Sequence, residues 1–263
     1  MALQLAANLS WLYPELPWSE RFEAAARDGF RGAEILMPYE QPPGWYAERL
    51  RENGLSLVLI NTPVADGAGR LGWAAVPGAE RAFEEAFDRA RAVALATGCR
   101  AIHVMAGHIA GLPPQDCAAT LRRNLAHALA LAEADDLVLM LEALNRQDMP
   151  GYCYWLPQQV IDVLREFGTP RLRLQFDFYH CMREALDPLA AVQDCAPWIG
   201  HAQIAGADGR HEPDLHQPHL EDAVAALAEL GCTRWLGCEY APRAGAADGL
   251  KWAEPLRARG VLA

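Results

Sequence analysis

LRLQFDFYH, residues 172–180, reads as a buried strand until Asp177 interrupts it. An ionised carboxylate inside an apolar run costs several kcal/mol unless a cation or strong donors meet it. The same interruption recurs at Glu142 in LVLMLEALN (137–145) and at Glu239 in WLGCEYAP (235–242). It recurs in neutral form at Gln203 in IGHAQIAG (199–206). Four apolar runs each end on a polar group, and what lies between them decides the fold.

Outward from these runs, strand-like and helical periods alternate along the whole chain. LQLAANL (3–9) precedes the helical WSERFEAAARDG (18–29), and FRGAEIL (30–36) precedes GWYAERLRENG (44–54). LSLVLINTP (55–63) leads through a Gly-rich loop to GAERAFEEAFDRARAVALATG (78–98), where Phe83, Phe87, Ala90 and Ala94 form one stripe. Gly98 stands where a helix C-cap belongs, as does Gly168 after LPQQVIDVLREFG, whose Pro157 suits a first turn. RAIHVMAG (100–107), LVLMLEALN, RLRLQFDFYH (171–180), IGHAQIAG and WLGCEYAP are each followed by a helical segment too. Eight strand–helix units of roughly 33 residues predict one α/β domain over 1–263, a (β/α)8 TIM barrel. Short apolar strands rich in β-branched and aromatic residues suit a parallel sheet covered by helices.

Composition narrows the function. A net charge of −11 disfavours nucleic acid, whose phosphates need a basic surface. Seven cysteines without C-x-x-C spacing read as reduced packing residues. The N-terminus lacks the basic start and apolar core of a signal peptide. No apolar run reaches the length of a membrane span of about 18 residues. A cytoplasmic protein without a membrane partner is the expectation. The one lysine, Lys251, lies in the C-terminal helical segment, so no strand end offers an amine for a Schiff base.

Glu142, Asp177, Gln203 and Glu239 fall 35, 26 and 36 residues apart, about one unit each, at the ends of strands five to eight. Consecutive barrel strands end side by side on the catalytic face, so the four side chains converge. Converging carboxylates repel one another and raise each other's pKa, and a divalent cation resolves the conflict. Four oxygen donors without a thiolate favour Mg²⁺ or Mn²⁺. A metal chelating a carbonyl and its neighbouring hydroxyl acidifies the C–H between them and stabilises an enediolate. One glutamate then removes the proton and the other returns it to the adjacent carbon. This suits isomerisation or epimerisation with no nucleotide or organic cofactor.

These pieces resemble the hydroxypyruvate isomerase family of xylose-isomerase-like barrels, and are particularly similar to 2-oxo-tetronate isomerases. The resemblance rests on AANLSWLYPELPWSERFEAAARDGFRGAEILMPY, IHVMAG, LEALN, LQFDFYH, GHAQIAG…GRHEP and GCEYAPR, in order over nearly the whole chain. It implies that Glu142 and Glu239 both ligate the metal and act as proton donor and acceptor. It implies that Asp177 and Gln203 complete the metal site, and that His180 and Arg210 contact the substrate. The related ketose 3-epimerases usually carry histidine at the Gln203 position. The implied substrate is a small acid: hydroxypyruvate going to 2-hydroxy-3-oxopropanoate, or a 2-oxo-tetronate going to its 3-oxo isomer. A bidentate arginine suits its carboxylate. A sugar 3-epimerase or inosose-type dehydratase on the same barrel is the alternative, and assembly into a homo-oligomer is left open. Two loops depart from the family: DLHQPHL (214–220) and the short NTPVADGAGRLGWAAVPG (61–78), both expected over the site.

Other features carry less. GAGRLG (67–72) fits the dinucleotide fingerprint but lacks the strand before it and the helix after it, so it reads as a flexible loop. His103 points either into the site or into the core. His201 shares a strand face with Gln203. Glu34 reads as a hydrogen-bonded interior group. Trp11, Tyr13 and Trp18 either shape the pocket or pack at the barrel rim. His108, His211, His216 and His219 lack ligand spacing and read as solvated loop residues, against the zinc-rich site of an endonuclease IV-type repair enzyme. A silent binding protein on an inherited barrel is the third class, and nothing at the four positions suggests decay.

Overall fold

The computed structural model describes residues 2–65, 67 and 70–263. Eight parallel strands close a barrel in chain order: β1 (Gln4–Asn8), β2 (Gly32–Ile35), β3 (Ser56–Asn61), β4 (Ala101–His103), β5 (Val138–Glu142), β6 (Leu172–Asp177), β7 (Ile199–Ile204) and β8 (Trp235–Cys238). The ring shuts where Ala6 and Ala7 of β1 pair with Gly237 and Cys238 of β8. The expected (β/α)8 barrel is the fold.

The covering helices are α1 (Trp18–Arg27), α2 (Pro43–Glu52), α3 (Glu80–Thr97), α4 (Pro114–Ala134) and α5 (Pro157–Phe167). They continue with α6 (Phe178–Arg183), α7 (Pro188–Cys195), α8 (Leu220–Leu230) and, after a 3-10 turn at Asp248–Ala253, α9 (Glu254–Ala258). Helix α3 buries Phe83, Phe87, Ala90 and Ala94 against the strands, as its stripe requires. Burying each phenylalanine contributes about 2–3 kcal/mol. Gly98 and Gly168 both end their helices in the left-handed conformation.

One expected strand ends early. β6 stops at Asp177, and Phe178–Arg183 turns into α6 rather than extending to His180. The carboxylate decides this, because Asp177 Oδ1 accepts the Tyr179 backbone N–H at 2.8 Å and caps the helix. His180 is thereby swung back over the barrel mouth.

The main apolar core lies between strands and helices. Inside the ring, Leu59, Ala101 and Met140 form a separate small plug. Barrel interiors are usually filled by branched apolar side chains. Here Asn8, Glu34, Gln175, His201 and Gln203 are buried in it instead. A polar column therefore runs up the barrel toward the C-terminal mouth. All seven cysteines are free. Among the described residues no helix is long and apolar enough to cross a membrane.

Candidate active site

Glu142 ends β5, Asp177 ends β6, and Glu239 follows β8 by one residue; all three are buried. Glu142 and Glu239 line a cavity of about 170 Å³ at the C-terminal mouth, with His180 and Arg210. A larger cavity of about 510 Å³ opens at the opposite mouth, lined by Arg100, Arg173, Arg234 and Trp235. It holds no carboxylate, and barrel chemistry belongs to the other end.

The three carboxyls carry the repulsion that their convergence predicts. Burial pushes Glu142 well above the usual carboxylate range, and Asp177 and Glu239 push it further. Burial raises Asp177 to about 6 and Glu239 to about 8, with Arg210 opposing both shifts. Arg210 Nη2 lies 2.5 Å from Glu239 Oε1 and 3.4 Å from Asp177 Oδ2. Its guanidinium carbon sits 5.0 Å from the Trp11 ring and 4.7 Å from the Tyr179 ring. Burial works against the Arg210 charge, but the neighbouring carboxylates outweigh it.

Beneath them runs a hydrogen-bond network. Gln203 Nε2 donates to Glu34 Oε2 at 2.9 Å and also to Glu239 Oε2. Gln203 Oε1 accepts from Gln175 Nε2 at 2.6 Å, which also donates to Glu142 Oε2 at 2.9 Å. The two glutamates are thus tied together through two amides. Glu34 is the interior group expected of it: it accepts from Asn8 at 3.0 Å and meets His201 Nε2 at 2.5 Å. Gly237 leaves the space for that carboxylate, since a Cβ there would lie 2.0 Å from Glu34 Oε1.

Glu142, Asp177 and His180 offer ligand atoms within 4.8 Å of one another. His180 differs in kind. The Asn145 backbone N–H donates to its Nδ1 at 3.0 Å, which assigns the proton of the neutral ring to Nε2. Nε2 faces Asp177 at 3.7 Å and Glu142 at 3.9 Å as a donor. Burial, then Arg210 and His103, keeps the ring uncharged. The donor set fits a hard divalent cation. The buried Glu142 Oε1 has no hydrogen-bond partner, and the mutual repulsion of the carboxylates is what a cation relieves. Gln203 stands among them with its oxygen turned to Gln175.

The remaining sequence candidates are now placed. His103 is fully buried and lines the cavity, as does Trp11. Tyr13 packs in the core with its hydroxyl on Asp28 at 3.1 Å, and Trp18 stacks under Arg21. His211 meets the Ala241 carbonyl and His219 pairs with Asp187 at the surface. Of the two departing loops, the first reaches the cavity through Val64 and Leu71. Among the described residues none of 212–219 lines it, which corrects the expectation for the second loop. Asp66, Ala68 and Gly69 lie outside the described residues, so the GAGRLG stretch is seen only in part. Gly72 at its end bridges to Ala106, and a Cβ there would meet Met105 O at 2.1 Å.

Sequence reading missed Gln175, Asn145, Asn61 and Asn8. Gln175 was findable, two residues before Asp177 and so on the same strand face.

The xylose isomerase-like TIM barrel family matches residues 22–256. This chain belongs to that family. It is 40% identical to the 2-oxo-tetronate isomerase of Cupriavidus necator over 97% of this chain and 99% of that protein. It is 33% identical to the hydroxypyruvate isomerase of Escherichia coli over 97% of this chain and 100% of that protein. By these relatives the chain is an isomerase. The crystal structure of an AP endonuclease, family 2, from Brucella melitensis is 34% identical and covers 96% of this chain and 98% of that one, with a TM-score of 0.89. An L-ribulose 3-epimerase, 21% identical with a TM-score of 0.79 over 99% and 95% of the two chains, shares the fold.

Proposed function

We propose that this family member isomerises a small hydroxy-oxo acid by moving a proton between adjacent carbons through an enediolate. The substrate is hydroxypyruvate, giving 2-hydroxy-3-oxopropanoate, or a 2-oxo-tetronate, giving its 3-oxo isomer; the named relatives support this class. The observation that carries the reading is the placement of Glu142 and Glu239 on one small cavity, both raised by burial above the usual carboxylate range, Glu239 to about 8. A carboxyl poised near pH 7 exchanges protons readily in either direction.

Glu142 and Asp177 would hold a Mg²⁺ or Mn²⁺ ion, with Glu239, and with Gln203 once its oxygen turns from Gln175, completing its shell. Such a cation supplies Lewis acidity at the substrate's carbonyl and the neighbouring hydroxyl. One glutamate takes the C–H proton, the hydroxyl proton passes to the former carbonyl oxygen, and the other glutamate delivers a proton to the adjacent carbon. His180 donates its Nε2–H to a substrate oxygen, and Arg210 takes the carboxylate. The carboxylate-rich cluster and the charge of −11 speak against abasic DNA as a substrate.

The test is turnover of both acids in D₂O, followed by NMR with Mg²⁺ or Mn²⁺ and then with EDTA. Metal-dependent isomer formation, lost in Glu142→Gln and Glu239→Gln, is the expected result. Absence of both turnover and deuterium exchange would overturn the acidic substrate and favour an epimerase acting on a neutral sugar.

A further inference from the structure

Asn61 ends β3 and His103 ends β4, and the two are paired in register on adjacent strands. Their side chains therefore stand side by side on the wall of the 170 Å³ cavity. His103 is fully buried, and neither ring nitrogen has a hydrogen-bond partner. Asn61 Oδ1 is likewise buried without a partner. The nearest carboxylate oxygen to the imidazole is Glu142 Oε2, 3.4 Å from Nδ1, and it is already taken by Gln175. Buried polar atoms without partners are rare in folded proteins, and three at one spot on a cavity point to a ligand that completes them.

The atoms define what completes them. Asn61 offers its unpartnered amide oxygen beside an amide N–H, and the two unpartnered ring nitrogens of an imidazole offer one donor and one acceptor in its neutral form. A hydroxyl, which both donates and accepts, is the complement. A second carboxylate is disfavoured there by the charge of Glu142, whose Oε2 lies 3.4 Å from the imidazole. Met37, Met105, Leu144 and Met149 supply apolar wall around the pair and suit a methylene. Arg210 approaches from the β7–β8 side, across the barrel from β3 and β4. The cavity is small beside ordinary ligand pockets of about 300–1,000 Å³, which confines the ligand to a short chain.

We infer that Asn61 and His103 bind a terminal, non-reacting hydroxyl of the substrate and so select a four-carbon over a three-carbon hydroxy-oxo acid. This rests on the proposed reading of the site. Hydroxypyruvate ends at its own reacting hydroxymethyl, whereas a 2-oxo-tetronate carries one hydroxymethyl beyond the reacting pair. The extra group reaches the Asn61–His103 end when the carboxylate lies toward Arg210.

The experiment uses the full chain with Mg²⁺ as wild type, His103→Phe, Asn61→Leu and His103→Gln, each checked for a cooperative melt. Binding of erythronate and of its 4-deoxy counterpart, 2,3-dihydroxybutanoate, is measured by calorimetry beside turnover of 2-oxo-tetronate and hydroxypyruvate. Wild type is expected to favour the hydroxylated ligand by about 10- to 100-fold, the worth of one to two buried hydrogen bonds. His103→Phe and Asn61→Leu lose that preference, and their 2-oxo-tetronate kcat/KM falls about tenfold or more beyond any fall with hydroxypyruvate, whereas His103→Gln, which keeps an N–H, retains part of the preference. Equal binding of the two ligands by wild type, or an equal fall for both acids in the variants, overturns the inference. Discrimination in binding without turnover of either acid leaves the hydroxyl site standing and overturns the isomerisation reading alone.

Discussion

The backbone N–H of Asn145 donates to Nδ1 of His180 at 3.0 Å, and this one bond separates a donor from a metal ligand. With Nδ1 engaged as an acceptor, the neutral ring carries its proton on Nε2, which faces the carboxylates. A protonated nitrogen has no lone pair to offer a cation.

We therefore predict that His180→Phe lowers kcat/KM by about 100-fold through loss of a buried donor to substrate. Mg²⁺ affinity is expected to stay within about threefold, because the proposed ligands are the carboxylates. Titration of Mn²⁺ by electron spin resonance reads the second quantity. A large loss of metal affinity would make His180 a ligand and the Asn145 bond incidental.

Arg210 gives a second prediction. Its guanidinium lies between the Trp11 and Tyr179 rings and reaches both Glu239 and Asp177. Lysine has neither a planar face for the rings nor a two-pronged donor. Arg210→Lys is expected to raise KM for an acidic substrate by about 10-fold or more, the worth of a charge-assisted bond. Steady-state kinetics on both acids checks it. An unchanged KM in both Arg210→Lys and Arg210→Ala would remove Arg210 from substrate binding.

The barrel was legible because alternation of apolar periods is a local property, repeated eight times. The candidate site positions stood out for a related reason: a carboxylate that ends an apolar strand has few structural excuses. Orientation was not legible. Gln203 turns its amide according to Glu34 on β2 and Gln175 on β6, and the first of these lies 169 residues away. The run LQFDFYH misled because Phe178 and Tyr179 look like strand, whereas the Asp177 cap starts a helix. Asn61 and His103 announced little, since an unpartnered polar atom exists only once the fold has closed around it.

Gly237 carries a stability prediction. A Cβ at this position would lie 2.0 Å from Glu34 Oε1 and 2.5 Å from its carboxyl carbon, both deep in the barrel. Glu34 cannot retreat without leaving His201, Gln203 and Asn8. Overpacking usually costs about 1–3 kcal/mol, and a displaced buried carboxylate places Gly237→Ala at the upper end or beyond. Urea denaturation checks this. A loss under about 0.5 kcal/mol, the range of neutral surface changes, would show that the polar column is loosely held.

The last prediction concerns pH, and its sign follows from proton counts. Glu142 and Glu239 bind their protons more tightly in the fold than in an open chain, Glu239 up to about pH 8. Asp177 does so up to about 6. While the folded state holds more protons than the unfolded one, stability falls as pH rises. His103 and His180 act oppositely, since the fold refuses their protons, but only below their ordinary value of about 6.5. From about pH 6.5 to 8 Glu239 therefore dominates the buried site, with Glu142 raised in the same direction, and the slope is near −1.4 kcal/mol per pH unit for each proton retained. The surface His219, raised by Asp187, adds in the same direction and is removed by comparison with a site variant. In EDTA the wild-type Tm is expected to fall across this window, and Glu239→Gln to flatten the fall. A cation binds the deprotonated carboxylates, so stabilisation by Mg²⁺ grows with pH and its binding releases protons. Melting curves with EDTA and with Mg²⁺ that ran parallel from pH 6.5 to 8 would separate the metal from these glutamates.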